Sequence, residues 1–424
     1  MTTPDTAPAA PATPPSNEKA WRRAFQSLAV RDYRLLWMGQ ASTSMGQWMD
    51  QVCRGWLIYE LTGSPLLLGA VTATRAVPMV LFGIAAGVVA DRFGRKGQLL
   101  VSQAGNAFIE LVLGVLVLTQ QIEVWHVFAA AFTAGTLQAF QQPARQALIS
   151  DLVGERLIVN AIALNSAVLN MSRSVGPAIA GLLIAQAGVG GAYLVQSVLY
   201  ASATLWTMQM RVPETGEQAK QRRQLQLWAG LREGFSYIAE HREIKIVLLL
   251  ALAPLMLAQP YTSLLPVFAK EELDVGPEGL GMLFSAPGIG AVIGAFGVAT
   301  FGRVGRRGAL MLAGAAAFGL SILGISMAPW LWVALPLLAI SGFANTSYNA
   351  FANSFLQTAT PPQLRGRVMS IYLLDRGLVP LGTLLAGTLA TVFDARVAMG
   401  FMGASCALLV VGVALLAPSV RRIA

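Results

Sequence analysis

The chain has 424 residues, 55% of them hydrophobic and only 12% charged, with a formal net charge of +9. That is more apolar surface than a water-soluble globule of this length can hide, so composition places it in a membrane. At roughly 20 residues per helical crossing there is room for about twelve spans.

Residues 1–17, rich in Pro, Ala and Thr, read as a disordered tail. Trp21, Phe25 and Leu28, with Arg22 and Arg23 between them, predict a short helix on the inner membrane surface, so that 1–32 form a cytoplasmic tail and interfacial helix. Apolar runs then predict spans over 33–60, 66–90, 97–119, 123–150, 160–187 and 189–210, a bundle occupying 33–210. Residues 211–243 are hydrophilic and predict a cytoplasmic linker with an amphipathic helix around Leu225 to Tyr237. A second bundle, 244–417, has spans over 244–269, 277–301, 307–327, 329–356, 366–391 and 395–417, and 418–424 form a tail. No cleaved leader is expected, because the first thirty residues lack a basic-then-apolar order.

The positive charge by itself would suit a nucleic-acid binder, so its placement matters. Lys and Arg fall almost wholly on one side of the spans. Lys270 and Arg396 lie on the other, and Arg54, Arg75, Arg145, Arg173 and Arg376 lie within helices or at their ends. The excess marks the cytoplasmic face and predicts both termini inside, with the bilayer and not a nucleic acid as partner. Cys53 and Cys406 lie in apolar segments without metal or redox spacing. No Walker-type phosphate loop occurs, and neither His126 nor His241 makes a catalytic site. The chain reads as a non-enzyme without cofactor or metal.

Between the second and third spans lies Gly87-Val88-Val89-Ala90-Asp91-Arg92-Phe93-Gly94-Arg95-Lys96, too short for anything but a tight turn at the membrane surface. Its order resembles the loop between helices two and three of the major facilitator superfamily. A weaker echo, Gly302 to Gly308, stands where a duplicated half would put its second copy. The pair Arg173-Ser174-Val175-Gly176-Pro177 and Arg376-Gly377-Leu378-Val379-Pro380 adds to the case for two pseudo-symmetric six-helix bundles. Phe25 to Gln40, Trp56 to Pro65 and Pro143-Ala144-Arg145-Gln146-Ala147 resemble the bacterial branch that includes the enterobactin exporter and macrolide efflux proteins.

That resemblance implies a multi-pass inner-membrane transporter, monomeric, exporting an amphipathic organic molecule, drug-like or a natural product, against inward proton movement. It also implies gating by Gly87, Asp91, Arg92, Gly94, Arg95 and Lys96. The alternatives are a dedicated siderophore exporter, a lipid flippase, or a receptor that keeps the fold and moves nothing.

Ionisable groups inside the bilayer cost several kcal/mol unless paired or facing a wet cavity. Asp50, Glu110 and Asp375 qualify. Coupling needs a carboxylate that burial makes protonatable and that each side reaches in turn. Asp50 is the first choice, with Arg54 on the same helix face or Arg75 on the next span as switchable partner; a permanent ion pair that locks helices is the competing reading. Glu110 lies near the midplane, whereas Asp50 lies in the outer part of its span, but third spans of this superfamily often lie at the periphery, so packing competes with a proton role, with Glu110 protonated or hydrogen-bonded to Asn106 or Gln103 on the same helix.

Arg173 and Arg376 offer forked donors to an anionic substrate group, or bond to backbone beside Pro177 and Pro380. Gln138, Gln141, Gln142, Asn165, Asn170, Asn345, Ser347, Tyr348, Asn349 and Asn353 are polar enough to line a cavity. The substrate-binding expectation rests on Gln138, Arg173, Asn345, Tyr348, Asn349, Asp375 and Arg376. Gly176, Pro177, Gly181 and Pro380 are candidate hinges, since Gly-Pro permits bending and small residues permit close approach.

Overall fold

A computed structural model describes residues 25–212, 227–301 and 307–421, with the side chains of 83–93, 227–232, 301, 373–376 and 419 outside the described set. Every regular element among these residues is helical. The first half contains α1 (Arg31–Thr62), α2 (Pro65–Phe93), α3 (Arg95–Leu118) and α4 (Val124–Gln209). After a short α5 (Leu227–Glu240) come α6 (Arg242–Glu272), α7 (Pro277–Phe301), α8 (Arg307–Ser326), α9 (Leu331–Ala359), α10 (Pro362–Leu374), α11 (Val379–Val392) and α12 (Ala395–Leu416).

Helix α4 is 86 residues long, and at 1.5 Å per residue a straight rod of that length would run about 130 Å. It does not stay straight, because Gly154 (φ 67°) and Gly188 (φ 71°) leave the helical region. Both sit in the left-handed half of the map, where a glycine has no Cβ to clash. Contacts along α1 show the reversal. Tyr33 donates to the Ala161 carbonyl and Trp37 to that of Leu164, so the second arm, 155–187, runs parallel to α1. Gly39 lies against Ala203, Gly46 against Tyr200, and Cys53 against Gln196, so the third arm, 189–209, runs antiparallel.

Among the described residues eight helices are long and apolar enough to cross a membrane, α4 among them. Helix α1 and the α10–α11 pair fall outside that set. These are the two segments that carry Asp50 with Arg54 and Asp375 with Arg376. With α4 taken as three lengths, the arrangement is consistent with the twelve expected spans. The connection from α2 to α3 differs from expectation. Helix α2 continues to Phe93 and the chain turns at Gly94 alone (φ 72°, ψ 135°), so most of the ten-residue motif is helix. The expected loop echo at 302–306, the tail before residue 25 and the linker stretch 213–226 lie outside the described residues. The expected linker helix begins at Leu227.

The two halves meet along two helix pairs. Helix α2 meets α11 where Gly69 faces Thr383 and Gly387, and the second arm of α4 meets α7 where Gly181 faces Pro277 and Gly281. At each contact a Cβ on either glycine would press on the opposing backbone. The second helix of one half thus pairs with the fifth segment of the other, and the reverse.

Candidate functional site

Asp50 is 4% exposed. Its Oδ2 accepts a hydrogen bond from Arg54 Nη1 at 2.6 Å and another from Arg75 Nη1, so one carboxylate oxygen ties α1 to α2. Arg54 falls one turn after Asp50 on the same face, as the i, i+4 spacing requires. Both expected partners are engaged at once. Arg75 Nη2 also reaches Gln138 Oε1 on α4, at 3.5 Å.

Glu110 belongs to the same assembly. On α3 the buried residues Gln98, Ser102, Gln103, Asn106 and Glu110 recur every three to four positions, forming a polar stripe turned inward. The expected peripheral third span therefore has one face in the first half's interior. Glu110 is 2% exposed and lies within electrostatic range of Asp50, Arg54 and Arg75, while its Oε2 has no hydrogen-bond partner. The expected help from neighbours is missing: Asn106 donates instead to the Ser102 carbonyl, and neither amide atom of Gln103 finds a partner.

The predicted substrate residues separate into groups. Gln138 joins the Asp50 cluster through Arg75. Arg173 stands over the Trp48 ring, its guanidinium carbon 5.6 Å from the centroid. In the second half Asn345 donates to Gln259 of α6 at 3.0 Å, Asn349 donates to the Asn345 carbonyl, and Tyr372 donates to Asn349 at 3.2 Å. Tyr348 is 3% exposed on the same helix, in contact with the α8 backbone at Gly314. The side chains of Asp375 and Arg376 lie outside the described residues.

Those of Gly87, Asp91 and Arg92 in the gating motif do so too. Gly94 makes the turn. Arg95 pairs with Asp151 at the end of the first arm of α4. Lys96 donates to the Met208 and Met210 carbonyls at 2.8 and 2.7 Å, where a cation complements the helix C-terminus. Both bonds stay within the first half. Of the candidate hinges, Gly176 packs on Trp48 and Met45, Pro177 and Gly181 form the contact with α7, and Pro380 is buried at the start of α11. The non-helical points of α4 are Gly154 and Gly188, while Gly176 and Pro177 stay within helix.

At the other end of the molecule, Tyr59 donates to Glu271 at the end of α6. Lys270 lies 5.8 Å from the Trp56 ring centroid and 5.7 Å from that of Tyr59, and Arg396 of α12 pairs with Glu272. This group joins α1 to the second half.

Arg145 has no assigned role in the sequence reading, although it stands within the Pro143 to Ala147 motif. Its Nη1 donates to Gln40 and, at 2.9 Å, to Thr43, both on α1. The signal available was an arginine following the amides Gln138, Gln141 and Gln142 at helical spacing.

The description "Transmembrane secretion effector", a major facilitator family, matches residues 23–424. The chain belongs to that family. The chain is 28% identical over 398 residues to the multidrug efflux pump Tap of Mycolicibacterium fortuitum, covering 92% of this chain and 96% of the relative. It is 27% identical to the staphyloferrin A transporter of Staphylococcus aureus (85% and 90% covered) and 22% identical to macrolide efflux protein A of Streptococcus pyogenes (92% and 95%). Among solved structures it resembles the nucleoside transporter NupG, with TM-score 0.73, 14% identity, and 91% and 99% covered. A bacterial homologue of the human lysosomal transporter Spinster gives 0.70, 16%, and 93% and 98%. These structural likenesses speak to fold alone. The chain is a multi-pass membrane transporter of the major facilitator efflux type.

Proposed function

We propose that the protein exports an amphipathic organic compound by alternating access, driven by inward movement of protons that load and leave Asp50. One observation carries this reading: a buried carboxylate on α1 shared by arginines of α1 and α2, with a second acid, Glu110, in the same cluster. Protonating Asp50 removes the charge that both guanidiniums share. The pair then holds α1 and α2 together less strongly, a difference in energy between states of the kind any coupled cycle needs. The names of the relatives, a multidrug pump, a macrolide efflux protein and a siderophore transporter, support export and a broad range of cargo.

In this reading residues 33–210 and 244–417 rock as two bodies about the α2–α11 and α4–α7 contacts. The cation-rich end faces the cytoplasm with both termini, in the inner membrane, and the protein works as a monomer. Asp91 and Arg92, with Arg95 and Lys96, gate the inner side, while Arg173, Asn345, Tyr348, Asn349, Asp375 and Arg376 line the route of the cargo. Gly176, Pro177, Gly181 and Pro380 let the helices move against one another.

The test is uptake of labelled erythromycin and rhodamine 6G into inside-out proteoliposomes with an acid interior. Wild type is expected to accumulate at least one of them with loss of the proton gradient, and Asp50→Asn to reduce the process to gradient-independent leak. An undiminished accumulation ratio in Asp50→Asn would remove Asp50 from the mechanism. Binding without any flux in wild type would favour a receptor. The siderophore alternative keeps a specific support in the staphyloferrin A transporter. It predicts that cells lacking the chain retain an iron chelator when starved of iron.

A further inference from the structure

Arg145 is 5% exposed, and its Nε and Nη2 have no hydrogen-bond partner. Nη1, by contrast, is held by Gln40 and Thr43, which fixes the plane of the guanidinium. Nε and Nη2 form one edge of that plane, the edge whose two parallel N–H groups match the two oxygens of a carboxylate. Among the described residues Arg145 has no acidic partner.

Arg145 lines a narrow cleft with Gln40, Thr43, Gln47, Arg75, Asn106, Gln138, Gln141, Gln142 and Tyr200. The lining is rich in amides and contains no carboxylate. The electrostatic balance points the same way. Asp50 and Glu110 act on Arg54 and Arg75, and among the described residues no carboxylate acts electrostatically on Arg145. Asp50 is already committed to the first two arginines. A buried cation with an unfilled forked edge is costly, and an anion from outside would offset that cost.

We propose that this cleft binds a carboxylate group of the cargo, gripped by Arg145 through Nε and Nη2, with the surrounding amides taking neighbouring hydroxyl or carbonyl groups. The proposal rests on the export reading and adds to its cargo a class of acidic organic molecules that this cleft recognises. In this arrangement the cleft has about 10 Å³ of free space, about what one water molecule needs, so the bound state requires the cleft to widen, with the rest of the cargo extending out past exposed Gln142. Arg75 lines the same cleft, so the bound carboxylate lies beside the Asp50 ion pair and cargo and proton meet at one guanidinium.

The experiment compares 1-naphthoate with its uncharged isostere 1-naphthamide, by calorimetry on the full chain in lipid nanodiscs. Wild type is expected to bind the acid at least tenfold more tightly. That preference should vanish in Arg145→Gln and be only partly kept in Arg145→Lys, whose ammonium cannot fork. Gln142→Glu, one helical turn before Arg145 at an exposed position, keeps the test sharp if Arg145→Gln does not fold. It supplies an internal carboxylate and should weaken naphthoate binding tenfold more than it weakens naphthamide binding. Equal affinities in wild type, a preference that survives Arg145→Gln, or displacement of naphthoate by equimolar chloride or phosphate would each overturn the proposal; the last would mark an inorganic-anion site. Erythromycin export without acid preference would sink the cleft and leave the export reading standing. Naphthoate binding with no flux of any cargo would do the reverse.

Discussion

Asp50 and Arg145 sit in the same half with opposite arrangements. Asp50 has two cations on one oxygen, and Arg145 has two amide or hydroxyl acceptors and an open edge. Removing one member of a buried pair leaves the other charge uncompensated and typically costs about 3–5 kcal/mol. Asp50→Ala is therefore expected to lower thermal stability in detergent by that order, more than Asp50→Asn, which keeps a hydrogen-bond acceptor. The double variant Asp50→Ala with Arg75→Ala should be less damaged than the sum of its parts, with coupling on the order of 1–3 kcal/mol. Additive losses across that cycle would show that the ion pair contributes nothing to holding α1 on α2. Glu110 faces the same cluster without a hydrogen bond to Oε2. Glu110→Gln is thus expected to be tolerated structurally, with any effect appearing in the proton dependence of transport.

At the scale of helices, charge and packing divide the work. Lipid suits the apolar helices, whereas α1 is enclosed by its neighbours from Tyr33 to Tyr59 and is held by protein contacts. The glycine contacts also differ in kind. Gly342 meets the Pro287 carbonyl within the second half, while Gly69 and Gly181 meet backbone of the other half. Adding a methyl at Gly342 disrupts the α7–α9 packing itself, so Gly342→Ala should reduce folded yield. Gly69→Ala and Gly181→Ala should fold, because in the proposed cycle the halves separate there. They are expected to shift the population away from the arrangement seen here. Labelling of a cysteine placed at exposed Gln121, beside the Tyr59 end of the molecule, reads this out. Loss of folded protein in all three variants would argue that the interface between halves is as fixed as the packing inside them.

Over the whole molecule, Tyr59, Trp56, Lys270 and Glu271 join the two halves at one end. The proposed alternating access requires that junction to open in each cycle. A reducible thiol cross-linker joining Tyr59→Cys to Glu271→Cys is expected to abolish transport, and reduction to restore it; transport by the cross-linked protein would mean that this end stays closed throughout. Much of this design is legible in the sequence. Helix type, the approximate limits of the apolar segments and the presence of Asp50, Arg54, Arg75 and Glu110 within them follow from composition and spacing, because a bilayer requires long apolar helices and makes each internal charge conspicuous. The Asp50–Arg54 contact also follows, since it is local to one helix. Which way α3 turns Glu110 was not decided by its depth, although its stripe of Gln98, Ser102, Asn106 and Glu110 held the clue. The open edge of Arg145 could not be read at all. Sequence determined which charges enter the membrane; only the tertiary structure decided which of them are answered, because the answering group lies on another helix, and its reach depends on how each helix is rotated about its axis.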